Sequence, residues 1–172
     1  PLSSTGRKRG YAQMQRVTGP DYMKKCLELG LDKGWRHYFY GGTQQTLDKL
    51  ANILPQRYPG IRIAGMYSPP FRPLSAQEDR AAVAAINDAK PDFVWVGLGA
   101  PKQEIWMNGH QGQVHGLMVG VGAAFDYEAG NIARAPQWMQ SHNLEWLYRL
   151  MQDPKRLLGR YLRTNTVYLL QA

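Results

Sequence analysis

Short apolar runs alternate along the chain with longer segments in which apolar residues recur at helical spacing. Four runs have the length and the aromatic or β-branched content of buried strands, and they lie at 35–40, 61–66, 92–98 and 117–121. The segments between them carry one apolar face each, as in the set Leu47, Leu50, Ile53 and Leu54. This alternation predicts an α/β fold, with a parallel sheet and helices on both of its faces.

Capping residues mark where the predicted helices begin. One helix opens at Thr18 and runs to about Lys33, Thr43 caps the next, and Ser75 with Glu78 forms a capping box for a helix that ends near Ala89. Proline at a first helical position predicts three further starts. They are a helix from Pro101 to about His110, one from Pro136 to about Gln152, and one from Pro154.

The segment 96–104 carries the first sign of chemistry. Its apolar strand stops in a turn with Gly97 and Gly99, and a helix then opens with Lys102, Gln103 and Glu104 in its first turn. Ligands of open α/β sheets bind at this position, and the amides of a helix start favour anions. The segment therefore predicts an enzyme that handles a phosphorylated substrate, on a Rossmann-like sheet.

Three loops follow apolar strands and are expected to meet at the carboxyl edge of the sheet. They span 41–43, 97–103 and 120–126. Together they favour a nucleotide or phosphate cleft. None completes the dinucleotide-binding glycine pattern and none is a P-loop, which disfavours a nicotinamide oxidoreductase. The predicted substrate-binding residues of these loops are Gly41, Gly42, Gly97, Gly99, Pro101, Lys102, Glu104, Gly122, Phe125 and Asp126.

Individual polar residues of these loops keep two interpretations each. Lys102 can steady a diphosphate or lie in a solvated first turn, and Glu104 can bind substrate or simply favour the helix dipole. Gln103 can donate a hydrogen bond to a sugar or phosphate oxygen. Asp126 can contact a base or ribose, or it can cap the turn that follows it.

The positive charge of the chain is concentrated at its two ends. The formal net charge is +8, yet residues 17–133 hold 11 basic and 11 acidic side chains. The sequence therefore predicts two parts, a nucleotide-binding core over 1–133 and aromatic, basic helices over 134–172. In the second part, Arg156, Arg160 and Arg163 share one helix face, which suits an anionic membrane surface, a lid over a diphosphate, or an ordinary surface helix.

The composition argues against a membrane span, an internal disulfide and a metal site. No apolar run approaches the 18 residues of a membrane span, and the single Cys26 rules out an internal disulfide and a cysteine-based zinc site. The four histidines show no ligand spacing, so no metal is expected.

Four motifs, in their order along the chain, resemble the WecG/TagA/CpsF glycosyltransferase family. The first is 16–19, Arg-Val-Thr-Gly, and the second is 97–104 with the Trp-Met pair at 106–107. The third is 120–126, and the fourth is 134–140, which leads to 144–150.

The resemblance implies an inverting transfer of a sugar from a UDP-sugar to a polyprenyl-diphosphate-linked amino sugar in the synthesis of bacterial cell-surface polysaccharides. It places such an enzyme in the cytoplasm, peripherally on the inner face of the cell membrane, with no cofactor, no metal and no nucleic acid. It also implies that Gln103 lies in the active site and Arg16 near the donor phosphates or the acceptor. Arg156, Arg160 and Arg163 map on the basic appendage that docks on the membrane and completes the site.

One family element is not found in this sequence. The resemblance implies a Pro-Asp-Gly segment, with the aspartate as general base, that would end just before Pro1. An inverting transfer needs a base for the acceptor hydroxyl proton, and Asp126 is the substitute that position suggests. We therefore expect this chain to be the family domain without its first strands. The sheet edge that their absence leaves exposed would allow oligomers. The alternative is a non-catalytic module that binds a nucleotide or an anionic polymer.

Overall fold

The computed structural model describes residues 9–10, 17–142, 144–152 and 154. The chain divides into two compact units. One unit is Arg16–Asn131, and the other combines Pro1–Gln15 with Ile132–Ala172.

The unit Arg16–Asn131 is an α/β structure, as the sequence predicts. Its four strands form one parallel sheet in the order β2-β1-β3-β4. The elements are α1 (Gly19–Lys33), β1 (Arg36–Gly41), α2 (Gln44–Arg57), β2 (Arg62–Tyr67), α3 (Ala76–Asp88), β3 (Phe93–Gly97), α4 (Lys102–Gly109), β4 (Leu117–Gly120) and α5 (Ala124–Glu128).

The predicted caps explain where the first three helices begin. The side chains of Thr18 and Thr43 accept hydrogen bonds from first-turn amides of α1 and α2. Ser75 and Glu78 form both bonds of the capping box at α3. Helix α1 ends at Gly34, whose φ of 65° is the left-handed conformation that glycine tolerates best. These local signals fix the helix boundaries before any packing is considered.

Two apolar cores cover the two faces of the sheet. On one face, Phe39 and Trp95 pack with residues of α1, α2 and α5. On the other, Tyr40 and Val96 pack with residues of α3 and α4. Neighbouring strand residues thus point to opposite cores, and each large buried apolar side chain contributes about 1.5–3 kcal/mol. The predicted arrangement of helices on both faces is confirmed.

The strand order places a topological switch point between β1 and β3. The chain leaves β1 toward β2 on one side and later returns to β3 and β4 on the other. Successive connections therefore diverge at the carboxyl ends of β1 and β3, where open α/β sheets bind ligands.

The described part of the second unit contains two helices. They are α6 (Gln137–Ser141) and α7 (Glu145–Gln152), so the prediction of one helix from Pro136 to Gln152 is wrong. The carbonyl of Trp138 accepts hydrogen bonds from the side chains of Ser141 and His142 as well as from the His142 amide, near the end of α6. Among the helices of the described ranges, none is both long and apolar enough to cross a membrane.

A buried histidine makes the stability of the fold depend on pH. His37 is 1% exposed, its Nδ1 accepts a hydrogen bond from the Trp95 indole at 3.2 Å, and burial lowers its pKa to about 4. The folded protein therefore favours the neutral imidazole of His37. Its stabilisation is complete above the unfolded pKa of about 6.5 and is lost as the pH falls toward 4.

We expect wild-type protein to lose about 2 kcal/mol more unfolding free energy between pH 7 and pH 4.5 than the variant His37→Gln, which keeps an acceptor for Trp95. Urea unfolding at the two pH values measures the difference. Equal losses in the two proteins would show that His37 does not titrate on unfolding.

Candidate active site

The backbones of β1 and β3 touch where the two strands end. Gly41 and Gly97 are register partners, and the Gly42 amide donates to the Gly97 carbonyl at 3.2 Å. A Cβ on Gly41, whose φ is +113°, would lie 2.7 Å from the carbonyl carbon of Gly97. Only glycine satisfies both the conformation and the distance, so the first two loops are joined directly at the switch point.

Phe125 lies beneath these turns. Its side chain is 2% exposed and meets the Phe39 ring edge-to-face at 5.6 Å. A Cβ on Gly97 would lie 2.7 Å from the Phe125 ring. The sequence predicts Phe125 as a substrate-binding residue, whereas the structure places it in the core as a support for the Gly97 turn. Its apolar ring is used in packing and is not presented to a ligand.

Gln103 connects the second loop to the third. Its Oε1 accepts a hydrogen bond from the Gly122 amide at 3.0 Å, and its Nε2 donates to Oε1 of Glu104 at 2.8 Å. The side chain is 8% exposed and packs so closely on Gly120 that a Cβ there would lie 2.9 Å from Nε2. The side chain predicted for catalysis therefore also fixes the position of the third loop.

A fourth loop reaches the same edge. The hydroxyl of Ser68, which follows β2, donates to the Gly42 carbonyl at 2.8 Å. Nothing in the sequence singles out this residue, because an isolated serine in a proline-rich loop carries no motif. The structure thus brings loops from all four strands together at the carboxyl edge.

The start of α4 suits an anionic group. The helix begins at Lys102, one residue later than predicted, and Pro101 gives it no side-chain cap. No heavy atom lies within 4 Å of the Cβ position of Gly99, whose φ is +76°, and Lys102 is exposed beside it. The Gln103 amide already donates to the Gly99 carbonyl at 3.0 Å, so the positive end of the helix dipole, the accessible glycine turn and the exposed lysine are what this helix start offers a phosphate.

Asp126 belongs to a polar network that links α2 with the end of α5. Its Oδ1 accepts from the Thr46 hydroxyl at 3.4 Å and from the Asn131 amide at 3.2 Å. Asn131 in turn accepts from Lys49 at 2.6 Å, and Thr46 bonds the cap residue Thr43. Sequence reasoning missed Thr46, Lys49 and Asn131, since their partners lie far away along the chain. The network offsets the cost of a half-buried carboxylate.

The remaining predicted residues fall partly outside the described ranges. Arg16, Arg156, Arg160 and Arg163 all lie there, so their roles stay predictions. Gly19, three residues after Arg16 in the sequence, lies against the third loop, since a Cβ on it would be 3.0 Å from the Val121 Cα. The start of α1 therefore packs on the third loop. Within the described residues, no three His, Cys, Asp or Glu side chains gather as a metal site requires.

Comparison with known proteins identifies the family of the chain. The model of the glycosyl transferase WecG/TagA/CpsF family matches residues 1–172. The chain belongs to this family. The match extends over both compact units and over all the motifs identified above.

Curated relatives of this WecG/TagA/CpsF family member are identical to it at about a third of the aligned positions. A protein of Staphylococcus aureus (strain MW2) is 34% identical over 143 residues, which are 83% of this chain and 54% of the relative. A protein of Bacillus subtilis (strain 168) is 36% identical over 149 residues, with 84% and 56% covered. Both are named N-acetylglucosaminyldiphosphoundecaprenol N-acetyl-beta-D-mannosaminyltransferase. The chain spans about half the length of these relatives.

The contact between Gly97 and Phe125 predicts a sharp response to one methyl group. We expect Gly97→Ala to lower the unfolding free energy by about 1–3 kcal/mol, because the added Cβ overlaps a packed ring. Gly109→Ala is the matched control, since nothing lies within 4 Å of its Cβ position. It is expected to change stability by less than about 1 kcal/mol.

Denaturant unfolding of both variants, and of Gly97→Ala combined with Phe125→Leu, provides the test. The smaller side chain should recover part of the loss in a double-mutant cycle. Additive effects would mean that Phe125 does not support the Gly97 turn.

Proposed function

We propose that this chain carries the donor-binding site of an inverting glycosyltransferase that moves a sugar from a UDP-sugar to a polyprenyl-diphosphate-linked amino sugar. The observation that carries the proposal is the uncapped start of α4 beside Gly99 and Lys102, at the switch point of a sheet in a member of this family. The Lys102 ammonium and the positive end of the α4 dipole lie where the diphosphate of a nucleotide sugar is proposed to bind.

In this proposal the diphosphate lies over the start of α4. The positive end of the α4 dipole and the Lys102 ammonium offset its charge without a metal ion, and the helix is fixed before the substrate arrives. The nucleoside extends toward the third loop, where Asp126 accepts a hydrogen bond from the base or the ribose. The network around Oδ1 of Asp126 supports this role, since it holds the carboxylate in one orientation.

Charge on the leaving UDP increases as the glycosidic bond breaks. Arginines are suited to this stage because a guanidinium stays protonated and can bind phosphate with two hydrogen bonds. We assign this role to Arg16 and to Arg156, Arg160 and Arg163. The same C-terminal arginines would bring the protein to the inner face of the membrane, where a polyprenyl-linked acceptor resides.

The names of the relatives narrow the proposed substrates. They favour N-acetylmannosamine as the transferred sugar and N-acetylglucosaminyldiphosphoundecaprenol as the acceptor. The general base stays a prediction from the family resemblance, because the described carboxylate of Asp126 is assigned here to the nucleoside.

Donor binding is tested by titrating the protein with UDP in a calorimeter. Lys102→Ala should weaken UDP binding about tenfold, since one charge-assisted hydrogen bond contributes about 1.5–3 kcal/mol. Lys25→Ala removes the same charge from an exposed position of α1 and should leave the affinity unchanged. Equal affinities of the two variants would remove Lys102 from the site, and tighter binding of single-stranded nucleic acid than of UDP would favour the anionic-polymer module.

Transfer itself is tested with UDP-N-acetylmannosamine and a lipid-linked N-acetylglucosamine acceptor, using the full-length protein. Gln103→Ala and Arg16→Ala should each reduce turnover at least about 100-fold, because small displacements of catalytic loops are costly. Gln45→Ala, at an exposed position of α2, is the control. Wild-type turnover in Gln103→Ala or Arg16→Ala would contradict the assignment of that residue.

A further inference from the structure

His110 is a buried histidine whose two ring nitrogens both face oxygen atoms. It follows the last residue of α4 and is 8% exposed. Its Nδ1 lies 2.7 Å from the carbonyl oxygen of Trp106, and its Nε2 lies 2.9 Å from Oδ2 of Asp79 on α3. The chemistry proposed above does not use this residue.

Both oxygen atoms that face the ring nitrogens of His110 are hydrogen-bond acceptors. A backbone carbonyl and a carboxylate both accept hydrogen bonds and donate none. A neutral imidazole has one N–H group and satisfies one of them, whereas an imidazolium has two and satisfies both. In either form, the contact of Nε2 with the Asp79 carboxylate links α3 to the end of α4.

Aromatic stacking ties the same end of α4 to the sheet. The His110 ring stacks on Trp106 with 4.3 Å between ring centroids, and Trp106 stacks on Tyr40 of β1 at 4.2 Å. Stacked, buried rings stabilise one another beyond their apolar contact area. The face of the His110 ring therefore packs on Trp106, and its Nε2 contacts the Asp79 carboxylate.

The other end of the same helix carries Gln103. Gln103, Trp106 and His110 are spaced by three and four residues, so they share one face of α4. The helix has eight residues and no side-chain cap at its start. Helices this short are not stable alone, so contacts at the two ends must fix the position of α4.

We propose that His110, acting through Asp79, is a positioning residue that fixes α4 so that Gln103 reaches the Gly122 amide. The bond between α3 and α4 then determines the spacing of the second and third loops. The effect of His110 on nucleotide affinity rests on the proposed function, whereas its effect on the Gly122 hydrogen bond does not.

Hydrogen exchange measured residue by residue by NMR tests this proposal, because Gly122 donates directly to Gln103. His110→Phe keeps a ring for the Trp106 stack and removes both ring nitrogens. Asp79→Asn keeps an acceptor and removes the charge. His115→Phe makes the same ring exchange at an exposed histidine and is the control.

We expect the Gly122 amide to exchange at least about tenfold faster in His110→Phe, with a smaller increase in Asp79→Asn and none in His115→Phe. Amides of β1 and β2 should keep their wild-type rates, which a general loss of stability would not allow. The UDP affinity should fall at least about threefold in His110→Phe.

Wild-type exchange at Gly122 in His110→Phe, or equal acceleration at all amides, overturns the proposal. If His110→Phe does not fold, Asp79→Asn decides, and wild-type exchange at Gly122 in that variant also overturns it. If wild-type protein fails to bind UDP, the proposed function is wrong, while the exchange rates at Gly122 still support or overturn the positioning role.

Discussion

The close approach of two strand ends is the constraint on which the site depends. Gly41 and Gly97 bring the backbones of β1 and β3 into contact at the switch point, with the Gly42 amide bonded across it. Side chains there would separate the first two loops and displace the Phe125 ring below them. The fold therefore places an accessible backbone, and no bulky side chain, at the position where a nucleotide sugar is proposed to bind.

Helix α4 holds the polar groups of the site in fixed positions beside these glycine turns. It begins at the second loop, and its inner face carries Gln103, Trp106 and His110. Gln103 bonds the third loop, Trp106 stacks on the sheet, and His110 bonds α3. A short helix held at both ends can present the positive end of its dipole and Lys102 to a diphosphate without rearrangement, which is the condition for electrostatic stabilisation of a leaving group.

The sequence predicted most of the fold because the signals were local. Strand runs, the caps at Thr18, Thr43 and Ser75, and the glycine turns each depend on neighbours within a few residues. Contacts between distant segments escaped prediction. The network of Asp126 with Thr46 and Asn131, the Ser68 contact and the buried position of Phe125 depend on which loops become neighbours. Likewise, the apolar pattern, which continues from Pro136 to Gln152, does not show the break between α6 and α7.

The family match supports the proposed sugar transfer, and the geometry of the loops supports a ligand site at the carboxyl edge of the sheet. The central claim is that a uridine diphosphate binds over the start of α4 between the second and third loops. Backbone amide shifts during a titration with UDP test it most directly. We expect the largest changes at Gly99, Lys102 and Gly122, with little change at the amino ends of the strands. Saturable binding whose shifts lie at the amino ends, with those three amides unmoved, would contradict it.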